Sequence, residues 1–182
     1  MLTREFLREF RRKCELNWSN RTLRPGVFGF QIQRGTRWNP GLSDSEIAEY
    51  ERTVGFQFSE DLRTFLLEMN GTDLPSVNIF GSSGLPQATS VGVYSFPNDI
   101  DFVKSRMEDV RLWRSQIAAD LAQQNFDLPD SANLLPIYGH RYVLCTAGAD
   151  STLVLSILAQ EQPDAIVYAN SLQEYLEKEF ME

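Results

Sequence analysis

The sequence predicts an α+β fold: one domain, 1–182, in which a mainly antiparallel sheet of about four to six strands packs against several helices. Three observations carry this. Apolar residues recur at three- and four-residue steps in several stretches before residue 125, the mark of helices with one buried face. Residues 133–169 switch to short runs of Val, Ile, Leu and Tyr broken by Gly, Asp and Pro, the mark of strands joined by tight turns. A chain of 182 residues is long enough for one sizeable core, and it shows no internal repeat.

From Leu2 to about Leu16, the positions of Leu2, Phe6, Leu7, Phe10 and Cys14 predict a helix with a single apolar stripe and arginines on its other face. Pro25 and Gly26 interrupt the chain; VFGFQIQ, 27–33, then reads as a short strand that RGTRWNPG breaks. Ser43 followed three residues later by Glu46 is capping-box spacing, so a helix runs from about Asp44 to Val54 and stops at Gly55. Ser59 caps the next helix, with Glu60 and Asp61 at its positive end, Leu62, Phe65, Leu66 and Met69 on one face, and Asn70-Gly71 as its terminator.

Residues 72–97 are rich in Gly, Pro and Ser and offer short strands at VNIF and VGVYSF. Between Asn98 and about Gln124, the spacing of Ile100, Val103, Met107, Val110, Trp113, Ile117 and Leu121 predicts one long helix. LLPIYG, RYVLCT, TLVLSIL and AIVYA are read as four strands, with turns at Gly139, Gly148-Ala149-Asp150 and Gln162-Pro163-Asp164. A closing helix from Ser171 to about Phe180 presents Leu172, Tyr175, Leu176 and Phe180.

Catalytic chemistry finds little support. The chain has a single histidine, His140, so neither a multi-histidine metal site nor a well-oriented Cys-His pair with Cys145 is expected. FGSSGLP lacks nucleophile-elbow spacing and reads as a turn, and neither a phosphate loop nor a dinucleotide fingerprint occurs. Cys14 and Cys145, far apart and in no metal spacing, read as free thiols; Trp38 and Trp113 read as packing residues. No cofactor, metal or catalytic residue is therefore expected.

No stretch approaches the ~20 apolar residues of a membrane helix, and the basic, interrupted N-terminus does not read as a secretory signal, so the expected compartment is the cytoplasm. Net charge is −8, unevenly placed: residues 1–37 hold 9 of the 17 Lys and Arg against 3 acids, leaving −14 on the remainder. An acidic body disfavours direct nucleic-acid binding and suits a basic protein partner. The basic first helix reads as a solvated or partner-facing surface.

The stretch RWNPGLSDSEIAEYERTVGFQFSEDLRTFLLEMNG, with its Trp, its acid-bearing helix containing Glu51, its Val54-Gly55 corner and its Asn-Gly ending, resembles the SUKH superfamily, shared by fungal Smi1/Knr4-type regulators and many bacterial immunity proteins. The L-P-x-D-Y start common in that family is absent; Ser59 takes its place. LLPIYGHRYVL, followed by LVLSIL, AIVYA and SLQEYLEKEF, is similar to the bacterial branch. The resemblance implies a SUKH-like domain with 1–36 a basic helical extension, and a non-catalytic immunity protein that binds a cognate toxin of nuclease or deaminase type. A regulatory interaction module without a toxin, or a carboxylate-based hydrolase, are the alternatives. His140 would then sit at a structural strand turn, hydrogen-bonded to nearby backbone. Candidate partner-binding residues are Glu46, Glu49, Glu60, Asp61, Asp73, His140, Arg141 and Tyr142.

Overall fold

A computed structural model of the chain describes residues 1–81, 85, 88–146, 152–158 and 164–181. Helix α1 (Arg4–Ser19) starts where the Thr3 hydroxyl accepts the Phe6 amide, and it buries Leu7, Phe10, Cys14 and Trp18. It runs one turn beyond the expected end because Trp18 continues the stripe one helical step past Cys14. α2 (Asp44–Val54) carries the reciprocal Ser43–Glu46 box and ends on Gly55 at φ +88°. α3 (Glu60–Glu68) begins where Ser59 accepts the Leu62 amide.

Asn70-Gly71 does not terminate α3 in the expected way. The chain passes straight into strand β2 (Met69–Thr72), which pairs antiparallel with β1 (Trp38–Pro40), a segment expected only as a break. The Asn70 side chain donates to the Phe96 carbonyl at 2.7 Å and accepts the Phe96 amide at 2.9 Å. Gly71 has φ +75°, and a Cβ there would lie 2.6 Å from the Val93 carbonyl oxygen. The pair clamps residues 93–96 against the core.

β3 (Ser76–Asn78) and β4 (Ala88–Ser90) form a second ribbon. The strand expected at 27–33 is reduced to one bridge, Gln31 to Val77. VGVYSF is not a strand either; it runs beside the main sheet through Tyr94, whose amide donates to the Ile137 carbonyl, and buries Val93, Tyr94 and Phe96. The FGSSGLP turn lies largely outside the described residues, as do Gly148-Ala149-Asp150 and Gln162-Pro163.

The single long helix is corrected to two, α4 (Ile100–Leu112) and α5 (Arg114–Ala122), broken at Trp113. Periodicity cannot register the break because Val110, Ile117 and Leu121 stay buried on both sides of it. Trp113 itself is exposed at the bend, contrary to its expected packing role.

Strands β5 (Asn133–Tyr138), β6 (Arg141–Cys145), β7 (Val154–Leu158) and β8 (Asp164–Ala169) form an antiparallel sheet in that order. Side chains alternate between its faces, and both faces are covered. Leu135, Ile137, Val143, Cys145 and Val154 join the main core with α1, α2, α3 and α6 (Leu172–Phe180); Leu134, Tyr142, Leu144, Leu155 and Ile157 pack with α4 and α5. Covered on two sides, RYVLC reads as a continuous apolar run instead of an alternating one. α6 closes the core through Phe180, whose ring lies within 5.2 to 6.5 Å of Trp38, Tyr138, Tyr175, Trp18 and Phe10.

Candidate partner-binding surface

The corner between α2 and α3 is built around Glu51. Its main-chain carbonyl accepts the Gly55 and Phe56 amides, and its carboxylate accepts the Phe58 amide and an Arg63 N–H, each at 2.8 Å. Arg63 also reaches Asp44 at 3.8 Å, tying the two helices together. The outward sides of this pair carry Asp44, Glu46, Glu49 and Glu60, all exposed. Hydrogen bonds from the Ser43 hydroxyl and amide hold the Glu46 carboxyl below its ordinary range. Glu49 and Glu60 make no side-chain hydrogen bond or ion pair among the described residues, so their charge faces water. Arg52 is the exposed cation of the pair, while Arg63 is half-buried and neutralised.

Of the sequence-predicted candidates, Glu46 and Glu49 share α2 and Glu60 lies at the start of α3. Asp73 stands apart, its carboxylate accepting the Arg37 amide at 2.7 Å. Asp61 leaves the set: it is 5% exposed and accepts the Leu2 amide at 2.6 Å, fastening the start of the chain to α3. Tyr142 also leaves it, at 1% exposure inside the second core, because β6 turns that side chain toward α4 and α5.

Arg141 is held on three sides. It pairs with Glu179 of α6 at 2.9 Å, donates to the Ser156 hydroxyl at 2.9 Å, and lies 3.7 Å from the Tyr168 ring centroid. His140 is exposed at the β5–β6 turn; its carbonyl accepts the Ile157 amide, and among the described residues its side chain makes no hydrogen bond of the kind expected. Partial loss of water, then the Arg141 charge, hold its imidazole below the ordinary histidine value. Cys145 faces the main core, and burial pushes its thiol up to about 12, as it does that of Cys14. A thiol so displaced carries almost no thiolate at neutral pH.

The basic first helix is largely neutralised where it stands. Arg4 and Arg8 meet Glu68, Arg11 meets Glu15, and Arg12 and Lys13 meet Glu9. Of the basic residues in 1–37, Arg21, Arg24, Arg34 and Arg37, in the loop between α1 and β1, make no ion pair among the described residues. Charge arithmetic over 1–37 hid this, although the i,i+3 and i,i+4 pairs inside α1 are readable from spacing.

Among the described residues, no group of three or more His, Cys, Asp or Glu side chains could hold a metal ion, and no helix is long and apolar enough to cross a membrane. Residues 41–178 match the family model described as SMI1 / KNR4 family (SUKH-1). No curated protein matches the chain.

Proposed function

As a member of the SMI1/KNR4 family (SUKH-1), the chain is a protein-interaction module, and we propose that it is an immunity protein whose acidic α2–α3 surface binds a basic cognate toxin and neutralises it without chemistry of its own. The observation that carries this reading is the exposure of Asp44, Glu46, Glu49 and Glu60 on two rigid, well-capped helices, with Arg52 as their exposed cation. A nuclease or deaminase keeps a positive surface for its phosphate substrate. Fixed carboxylates presented from helices would occupy that surface and draw the partner in from a distance. The −14 charge on residues 38–182 adds to the same field, and the cytoplasm is the compartment in which such a toxin would be met.

The hydrolase alternative fares worse. A carboxylic acid that donates a proton at neutral pH needs its pKa raised, and so its ionisation suppressed, by an apolar site. The displaced carboxyls among the described residues, Glu9, Glu46, Glu68 and Glu108, are all lowered, by neighbouring donors. Glu51 and Glu179, drawn in from water, are both engaged by arginines.

The test is affinity capture from the native host with the chain as bait, next to a Glu46→Lys, Glu49→Lys, Glu60→Lys variant. The reading expects a basic protein whose toxicity the wild-type chain suppresses and the variant does not. Equal capture and equal suppression by both would overturn it.

A further inference from the structure

Where α1 ends, Asn17, Arg21, Thr22, Arg24, Phe180 and Met181 line a cleft of about 330 Å³. Arg21 is half-buried in it yet makes no side-chain hydrogen bond or ion pair among the described residues. Burial and the neighbouring Arg24 charge both pull its guanidinium below its ordinary value, as expected for a cation with no counter-ion. Arg24 is exposed but its backbone is fixed: the Gln31 side chain accepts its amide at 3.1 Å and donates to its carbonyl at 3.0 Å. Residues 20–37 contain four arginines and no acid. The acids of α1 do not compensate them, since Glu9 and Glu15 are paired within the helix and Glu5 sits at its opposite end.

An apolar anchor lies on the same loop. The Gly81 amide donates to the Pro25 carbonyl at 3.1 Å, bringing residues 25–30 against the end of the β3 segment. Phe28 and Phe80 meet there edge to face, ring centroids 5.5 Å apart, while remaining 83% and 46% exposed. Phe30, two residues on from Phe28, is exposed as well. Single exposed aromatics are ordinary on a protein surface; two that contact each other and stay wet, one of them on the loop that carries Arg24, form an apolar patch open to a partner among the described residues. The cleft and the Phe28 loop lie outside the matched residues 41–178, and only Phe80 and Gly81 of this surface lie within them.

We propose that this loop is a second docking surface, one that takes an acidic segment of a protein partner, with a carboxylate between Arg21 and Arg24 and an apolar side chain on Phe28 and Phe80. Guanidinium forks suit carboxylates, and the aromatic edge supplies the burial that a purely ionic contact in water lacks. A nucleic-acid strand fits less well, because its successive phosphates would run on past the cationic loop onto a body of charge −14. The proposal stands independently of the α2–α3 reading, which uses other residues and the opposite charge.

The experiment is fluorescence anisotropy with a labelled peptide of repeating Glu, Leu and Phe, against the same peptide with Ser in place of Leu and Phe, and against oligouridylate of equal length. Wild-type protein should bind the first peptide saturably and the other two at least roughly tenfold more weakly. Arg24→Glu and Phe28→Ser, both at exposed positions and checked by circular dichroism, should each weaken binding by about tenfold or more, whereas Ser115→Ala, exposed on α5, should not weaken it. Unchanged binding by both loop variants, preference for oligouridylate, or no saturation at millimolar peptide overturns the proposal.

Discussion

Replacing Glu51 tests the α2–α3 corner on which the acidic surface is mounted. In Glu51→Ala the Phe58 amide loses its 2.8 Å acceptor and Arg63 loses its close partner, keeping only Asp44 at 3.8 Å, whose side chain is 84% exposed. A buried donor left unsatisfied costs about 1–3 kcal/mol and a charge-assisted hydrogen bond contributes about 1.5–3. Arg63 retains some solvent, which trims the second contribution, so a loss of roughly 2–4 kcal/mol is expected. For a domain of this size that lowers Tm by about 5–15 °C. Glu51→Gln keeps an acceptor for the Phe58 amide and loses only the charge, so it should fall about 1 kcal/mol below wild type. Urea unfolding followed by circular dichroism measures both, and a double-mutant cycle with Arg63→Met isolates the pair. A Glu51→Ala protein within about 0.5 kcal/mol of wild type, or additive effects in the cycle, would refute the assignment of Glu51 as the clamp of the corner.

Three further contacts have measurable consequences. Gln124 covers the β8 edge by donating to the Ala165 carbonyl at 2.8 Å and accepting the Val167 amide at 3.2 Å; Gln124→Ala should speed hydrogen exchange at Val167 and make sedimentation concentration-dependent. Burial raises the Glu68 carboxyl, but the Arg4 and Arg8 hydrogen bonds outweigh it and leave the folded-state pKa lowered. Its stabilisation is therefore present above the unfolded glutamate pKa and lost as pH falls through the lower folded value, so the gap to Glu68→Gln, about 1 kcal/mol at neutral pH given the exposed arginines, should close in acid. The His140 imidazole, the one histidine signal in an NMR titration, should titrate below the ordinary value. Its depressed pKa makes a stabilising contribution that is present above the ordinary histidine pKa and lost as pH falls through the folded one.

Legibility in the sequence followed the range of the interactions. α2, α3 and α6 announce themselves because Ser43, Ser59 and Ser171 cap within three residues, and β5 to β8 because their runs are bounded by turn residues. β1 was not legible: a strand of Trp-Asn-Pro exists only because β2, some thirty residues on, pairs with it. Asn70-Gly71 carries a helix-stop signature locally, yet its side-chain and backbone demands are set by Phe96 and Val93. On the candidate surface, residue type predicted exposure correctly for Glu46, Glu49 and Glu60 and failed for Asp61 and Tyr142, whose positions depend on Leu2 and on the packing of α4 and α5. The absence of any acid in residues 20–37 is readable from the sequence, whereas the neutralisation of Arg4 and Arg8 by Glu68 is not, because that partner comes from α3.

The most direct measurement is the association rate constant between the purified chain and its captured partner as a function of salt, for wild type and for the Glu46→Lys, Glu49→Lys, Glu60→Lys variant. Exposed carboxylates that steer a basic partner predict a rate that falls steeply between low and physiological ionic strength, where the Debye length shrinks to about 8 Å, and a variant that starts slow and responds weakly. A rate indifferent to salt, and equal in the variant, would contradict recognition through the acidic α2–α3 surface.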